Sequence, residues 1–196
     1  MKMADFEQEM YNCSLLKGGE PGLDNEPVFL TLRFMLPFKT SVLVFIRNAA
    51  GELLLLQRLK KPNQGLWSPI GGKLEMALGE SPFEAAVRET EEETGLKIAT
   101  EDLHLFCMIS EKGYEASGHW LMFLFDCSKV MKQLPPDMDE GHFAFVAEED
   151  IAKLDIPETD RELLWKIYFE NRTGFTALRA DCHGGKPEAV VVEQQL

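Results

Sequence analysis

The segment 81–95, SPFEAAVRETEEETG, restricts this chain more than any other stretch. Both of its ends are marked. Ser81 is an N-cap residue, Pro82 suits the first helical position, and Glu84 stands where a capping box needs it. Gly95 supplies the stop. The residues between are mostly good helix formers, so a helix is predicted over 82–94. Successive residues turn by about 100°. Phe83, Ala86, Val87, Thr90 and Thr94 then form one stripe, predicted to pack on a sheet. Glu89, Glu92 and Glu93 share another face, with Ala85 beside them leaving room for a ligand. Like charges at this spacing cost a few tenths of a kcal/mol per pair. A divalent cation with oxygen ligands reverses that sign. Alone, an acidic helix is most often a solvated face, so its surroundings decide the matter.

Those surroundings read as a sheet with helices. Residues 28–35 and 41–47 are rich in β-branched and aromatic side chains and are predicted strands. Asn48, Ala49, Ala50 and Gly51 carry turn chemistry, and 52–57 returns as the next strand. A polar loop at 60–64 leads through 67–72 to the glycine pair Gly71-Gly72. Beyond the helix, 103–109 and 119–127 read as strands joined by a polar loop at 111–118, and 143–146 as a short strand. Thr159, with Glu162 as its capping-box partner, marks a second helix. The tail, 175–194, reads as two strands around Gly184-Gly185. Strands and helices intermix, which predicts an α/β class with a mixed sheet.

The register around the acidic helix is informative. Glu80 is followed by SPFEAAV and then Arg88-Glu89; after Thr90 and Glu91 come Glu92-Glu93, Thr94, Gly95 and Leu96. From Gly72 to Leu96 this resembles the Nudix box, with a two-residue insertion in KLEMALG between Gly72 and Glu80 and with Thr90 at the aliphatic position. Extra loop length is tolerated cheaply, and the Thr90 hydroxyl is expected to bond back to its own helix. The strand–turn–strand before the box, the Gly65-Leu66-Trp67 approach and the late strand at Phe143 also look like family features, covering roughly 40–168.

The resemblance implies a Nudix fold, an α/β/α sandwich around a mixed sheet. It implies a metal-dependent hydrolase that cleaves a diphosphate linkage in a nucleoside di- or triphosphate, giving a nucleoside monophosphate. Glu92 and Glu93 would be metal ligands, helped by the Gly71 carbonyl, and Glu89 a ligand or the general base. Arg88 would position Glu89, while Glu80 and Gly72 support the site. Glu140 is the candidate for a further carboxylate, with Glu111 and Glu115 as rivals. Mg²⁺ is the implied cofactor, with Mn²⁺ as its substitute. WSPIGGKLE is similar to the matching stretch of Nudix enzymes that clean nucleoside triphosphate pools, including oxidised purine nucleotides. ADP-ribose or dinucleotide pyrophosphatase activity is the alternative. A non-catalytic Nudix-fold binding or regulatory module is the alternative from another class, disfavoured by the intact Arg88, Glu89, Glu92 and Glu93. For substrate contacts the candidates are Arg58 and Lys60 on phosphate and Trp67 and Tyr114 on a base. Trp67 and Trp120 are at least as readily core residues.

Charge narrows the partners. The formal charge of −13 excludes a large nucleic-acid footprint, since that needs a basic surface. It leaves room for a small polyphosphate bound through a metal. No apolar run is long enough to cross a bilayer. Cys13, Cys107, Cys127 and Cys182 are spaced for neither zinc nor a CxxC motif. A cytoplasmic protein without a membrane partner is therefore expected. The expected organisation is an arm or linker at 1–27, a hydrolase domain at 28–172, and a β extension at 173–196. That extension either joins its own sheet or pairs across a homodimer.

Overall fold

The computed structural model describes residues 38–61, 63–114, 118–183 and 186–196. The readings made for the arm at 1–27, the strand at 28–35, Cys13, Glu115 and the Gly184-Gly185 turn lie outside them.

The chain enters the sheet on β1 (Phe38–Asn48). Its run Val42-Leu43-Val44-Phe45-Ile46 has no polar alternation, as suits a strand covered on both faces. Val42, Val44 and Ile46 point to one side and Phe45 to the other, all buried. Asn48 then turns the chain. Its Oδ1 accepts from the backbone N–H of Ala50 (2.9 Å) and of Glu52 (3.0 Å), and Gly51 takes φ 86°. The return strand β2 (Leu53–Arg58) is buried through Leu56. The short β3 (Trp67–Ser68) pairs with β2, and the backbone continuing from it runs beside β1 through Ile70 and Gly72.

After the first helix, α1 (Pro82–Thr94), β4 (Leu103–Lys112) and β5 (His119–Met131) form an antiparallel pair. β5 lies parallel to β1 along most of its length, while β6 (Gly141–Val146) closes the far edge against β2. A π-helical turn, Asp160–Leu164, runs into α2 (Trp165–Asn171). β7 (Thr176–His183) pairs parallel with β4, and β8 (Lys186–Gln195) folds back on β7. The sheet order is therefore β3-β2-β1-β5-β4-β7-β8, with β6 on β2. Among the described residues it is mixed and has eight strands. α1 covers one face, over Val44, Ile46, Leu54 and Phe125. α2 covers the other, where Tyr168 stacks on Phe45 with centroids 4.4 Å apart. This is the α/β/α sandwich the resemblance implied. Among the described residues no helix is long and apolar enough to cross a membrane.

Two features depart from the sequence reading. Thr159 is no cap: its φ and ψ, −61° and −41°, are helical, and its side chain makes no capping bond. It is buried instead, and the helix passes through it into the π turn. Glu111 belongs to β4 rather than to a polar loop, and is 3% exposed.

Candidate active site

α1 has the ends its sequence spells. Ser81 Oγ accepts from the Glu84 N–H, and the Ser81 N–H donates to Glu84 Oε2 at 2.8 Å. Gly95, at φ 72°, sends its N–H back to the Glu91 carbonyl. The Thr90 hydroxyl donates to the Ala86 carbonyl at 2.7 Å, so this polar group is satisfied inside the core. The predicted stripe does pack on the sheet, with Ala86 and Thr90 fully buried and Phe83 and Val87 partly buried against the core. The buried face also extends beyond that stripe to Ala85. Ala85 is fully buried in the core and leaves no space for a ligand. Glu89 and Glu93 consequently lie on the inward side of the helix. Glu92 turns outward with 61% of its side chain exposed.

The glycine pair makes room for the Glu89 and Glu93 carboxylates. A Cβ on Gly72 would stand 2.2 Å from Glu89 Oε1, so only a bare backbone lets the carboxylate lie there. Gly71, at φ 144°, would drive a Cβ to 2.1 Å from the Val42 carbonyl oxygen. Its N–H donates to Glu93 Oε2 at 3.1 Å. The flanking carbonyls of Ile70 and Gly72 accept from Val44 and Val42. The Gly71 carbonyl is thus left outside the β1 ladder.

Arg88 organises the acids. Its Nε and Nη2 donate to the two oxygens of Glu80 at 2.7 and 3.0 Å. Its Nη1 reaches Glu89 Oε1 at 2.8 Å and Glu92 Oε2 at 3.0 Å, and Nη2 also donates to the Lys73 carbonyl. These charge-assisted bonds, led by that to Glu80, raise the Arg88 pKa, and the bond from Arg88 lowers that of Glu80. The insertion is absorbed by a 3-10 turn, Met76–Leu78, ended by Gly79 in the left-handed region. Glu75 N–H donates to Glu80 Oε2 at 2.7 Å, which keeps Glu80 facing Arg88 despite the extra length.

Glu89 and Glu93 open onto a cleft of about 500 Å³, which Gly71, Gly72, Arg88, Arg58 and Glu140 also line. Burial pushes Glu93 up to about 8, aided by the negative charges of Glu89 and Glu140 and opposed by the Gly71 N–H and Arg58. Burial likewise raises Glu89, against the pull of Arg88. Among the described residues no three His, Cys, Asp or Glu side chains are gathered closely enough to grip a metal ion as they stand. The donor chemistry nevertheless fits a hard divalent cation. Carboxylates crowd one another at the cleft edge, and a backbone carbonyl stands beside them.

Of the residues singled out in the sequence, the structure brings Gly71, Gly72, Arg88, Glu89, Glu93, Glu140, Glu111, Arg58 and Tyr114 to one cleft. Glu80 and Glu92 adjoin it through Arg88. Lys60 and Trp67 do not line it: Lys60 is exposed, its neighbour Lys61 takes the cleft position, and Trp67 packs on the α2-side core. Trp120, by contrast, lines the cleft. The sequence reading missed Asn63, Thr159 and Asp160 there. Asn63 carried one usable signal, being a residue tolerant of the left-handed region, which it occupies at φ 60°.

Comparison with known proteins agrees with this architecture. Over 114 aligned residues the chain is 33% identical to the uncharacterized Nudix hydrolase YvcI of Bacillus subtilis, an alignment that covers 58% of this chain and 69% of that protein. A crystal structure of the mutator MutT protein from Bacillus halodurans superposes with a TM-score of 0.64 at 20% identity, over 79% of this chain and 97% of that one. The NUDIX domain of Shewanella oneidensis NrtR, solved with ADP ribose, superposes with a TM-score of 0.53 at 16% identity, over 87% and 98%. Sequence identity at that level supports the fold alone. The NUDIX domain profile matches residues 37–166, most of the chain. With the Arg88-centred acids on α1 seated over Gly71-Gly72, the chain belongs to the NUDIX family and is a Nudix hydrolase, an enzyme of a family that acts on nucleoside diphosphate derivatives with divalent metal ions.

Proposed function

We propose that this enzyme hydrolyses the diphosphate linkage of a nucleoside di- or triphosphate, oxidised purine nucleotides included, and releases a nucleoside monophosphate. The observation that carries the reading is the seating of Glu89 and Glu93 against Gly71-Gly72, at the edge of a cleft that Arg58 and Glu140 share. Glu93, Glu140 and the Gly71 carbonyl would hold Mg²⁺ or Mn²⁺, with Glu89 kept as the base. Glu92 would join them by rotating away from Arg88. Bound there, the ion supplies charge neutralisation on the phosphates and a lowered pKa for water.

The chain's own residues do the rest. Water adds its oxygen to one phosphorus, the bridging P–O bond breaks, and the leaving phosphate keeps the bonding electrons. Glu89 takes the water proton at Oε2, because Oε1 is engaged by Arg88. Arg88 fixes that carboxylate, and Glu80 fixes Arg88 through the two-point contact. Arg58, with Lys61 standing where Lys60 was expected, meets the phosphates. Cys107 and Cys127, free and buried, support a reducing, cytoplasmic setting.

The test is phosphate release from a panel of nucleoside di- and triphosphates, a dinucleotide and ADP ribose, with and without Mg²⁺, with products identified. Mg²⁺-dependent release of a nucleoside monophosphate supports the reading. Turnover of ADP ribose alone would shift it to a sugar-nucleotide pyrophosphatase. Silence across the panel would favour a binding module.

A further inference from the structure

The loop that carries the two extra residues, KLEMALG, is anchored at both ends. At its root Leu74 packs against the α1-side core, and its N–H donates to the Thr40 carbonyl at 3.1 Å. At its far end stands the Ser81 cap of α1. Between these anchors Glu75 takes φ −78° and ψ 78°. It is the centre of an inverse γ-turn, closed by the Met76 N–H on the Leu74 carbonyl at 3.0 Å. The N–H of the central residue takes no part in that ring. It donates instead to Glu80 Oε2 at 2.7 Å. Two residues earlier, the Lys73 carbonyl accepts from Arg88 Nη2 at 3.1 Å. Backbone groups of one loop therefore hold both members of the Glu80–Arg88 ion pair. Met76 and Leu78 are 71% and 78% exposed, so the turn is held by these backbone bonds and not by packing of its side chains.

We propose that the extra length serves catalysis, with Glu75 as a positioning residue whose backbone N–H, through Glu80 and Arg88, sets the carboxylate of Glu89. The inference rests on the hydrolase reading above, in which Glu89 takes the water proton, and adds to it a residue of the insertion. Arg88 Nε holds Glu80 Oε1, and Arg88 Nη2 shares Oε2 with the Glu75 N–H. Arg88 alone can move together with Glu80 as a paired unit. The Glu75 N–H ties that unit to a loop anchored on β1. The guanidinium is planar and rigid, so fixing its Nε and Nη2 edge also fixes Nη1. Nη1 is the nitrogen that reaches Glu89 Oε1 at 2.8 Å. Without the Glu75 donor, Glu80 is free to turn, and Nη1 carries the displacement to the base.

The experiment compares two variants of the full chain. Glu75→Pro removes the N–H at a φ of −78° that proline accepts. Glu75→Ala is the reference, since it loses the same carboxylate and keeps the donor. One readout is solvent exchange of the Arg88 Nε proton, followed by NMR without metal or nucleotide and assigned by its absence in Arg88→Lys. The other is kcat and KM with Mg²⁺ for dGTP, or for the nucleotide of the panel that turns over. Against the Ala reference, the Pro variant should exchange that proton faster and lower kcat, each on the order of 10-fold, with KM held, as loss of one bond to a charged acceptor implies. In a Glu80→Ala background the two variants should converge, because the donor then has no carboxylate to hold. If Glu75→Pro does not fold, Gly79 supplies a second pair. A Cβ there has open space, but φ is 68°, which Asn tolerates and Val resists. Gly79→Val should then reproduce the loss, and Gly79→Asn should not. Equal exchange and equal kcat within a pair would overturn the proposal, as would a Pro effect that persists undiminished without Glu80. If nucleotide turns over and the pairs match, this inference fails and the hydrolase reading stands. If nothing turns over, the hydrolase reading fails, and the exchange difference alone decides whether Glu75 sets Arg88.

Discussion

Glu93 shows most directly how a side chain can serve chemistry at the expense of the fold. Burial and the neighbouring Glu89 and Glu140 hold its pKa at about 8. Without metal, the native state therefore binds a proton that the unfolded chain, with a carboxyl near its ordinary value of 4.5, releases. Native protein then holds more protons, so its stability is greatest at low pH and falls as pH rises between those values. Asp160, pushed by burial up to about 7, acts with the same sign. In EDTA, Tm should fall from about pH 5 to about pH 8, and Glu93→Gln should flatten that slope. The same variant should lower kcat by roughly 10²-fold or more with Tm at pH 8 unchanged or raised. A variant that kept full turnover would remove Glu93 from the site.

The two glycines separate site from scaffold at the same scale. In Gly72→Ala the new methyl meets only the far end of Glu89, so the fold should survive. Glu89 is displaced, and activity should drop by roughly 10²-fold, as misplacement of about 1 Å does elsewhere. In Gly71→Ala the methyl meets the Val42 backbone, and a φ of 144° is closed to side chains. That variant should lose about 1–3 kcal/mol of stability. Thermal melts and initial rates on the pair distinguish the two roles, and equal melts would refute the distinction.

At the scale of elements, the limits of α1 and the hairpin at Asn48 were legible because local chemistry determines them. A capping box, a left-handed glycine and an Asn side chain bonded to its own turn need no tertiary partner. Ser81→Ala should accordingly cost about 1 kcal/mol in denaturant melts and leave kcat untouched. A loss of activity without loss of stability would show that Ser81 does more than cap. The apolar stripe of α1 was legible, but how far the buried face extends past it was not. The sequence pattern sets Glu89, Glu92 and Glu93 together on one face, and only the bare backbone at Gly71-Gly72 reveals that two of them lie against the sheet while Glu92 turns outward. Thr159 misled for a related reason. Thr-Asp-Arg-Glu spells a capping box, yet the helix passes through it in a π turn that leaves Asp160 at the cleft. Glu111 and Trp120 face each other across β4 and β5, and their place in the cleft depends on strands brought together over long range.

For the whole molecule, the late strands Thr176–His183 and Lys186–Gln195 belong to the sheet. β7 pairs with β4 and buries Leu178 and Ala180 in the α2-side core. Deleting 173–196 removes about 1.5–3 kcal/mol for Leu178 alone and leaves the β4 edge unpaired, a template for association. The shortened chain should aggregate or melt far lower by light scattering and calorimetry. A soluble monomer with unchanged Tm would show the stretch to be dispensable.

The parallel alignment of β1 with β5 also bears on how the protein is made. Phe38 lies opposite His119, and Val44 opposite Phe125, so the middle of the sheet joins residues synthesised far apart. While the ribosome is still translating the segment between them, β1 can gain only its short hairpin, and its apolar run stays uncovered. Closing so distant a contact is slow compared with local turns. The nascent chain must therefore pass through a period of exposure, which ends only when β5 has cleared the exit tunnel.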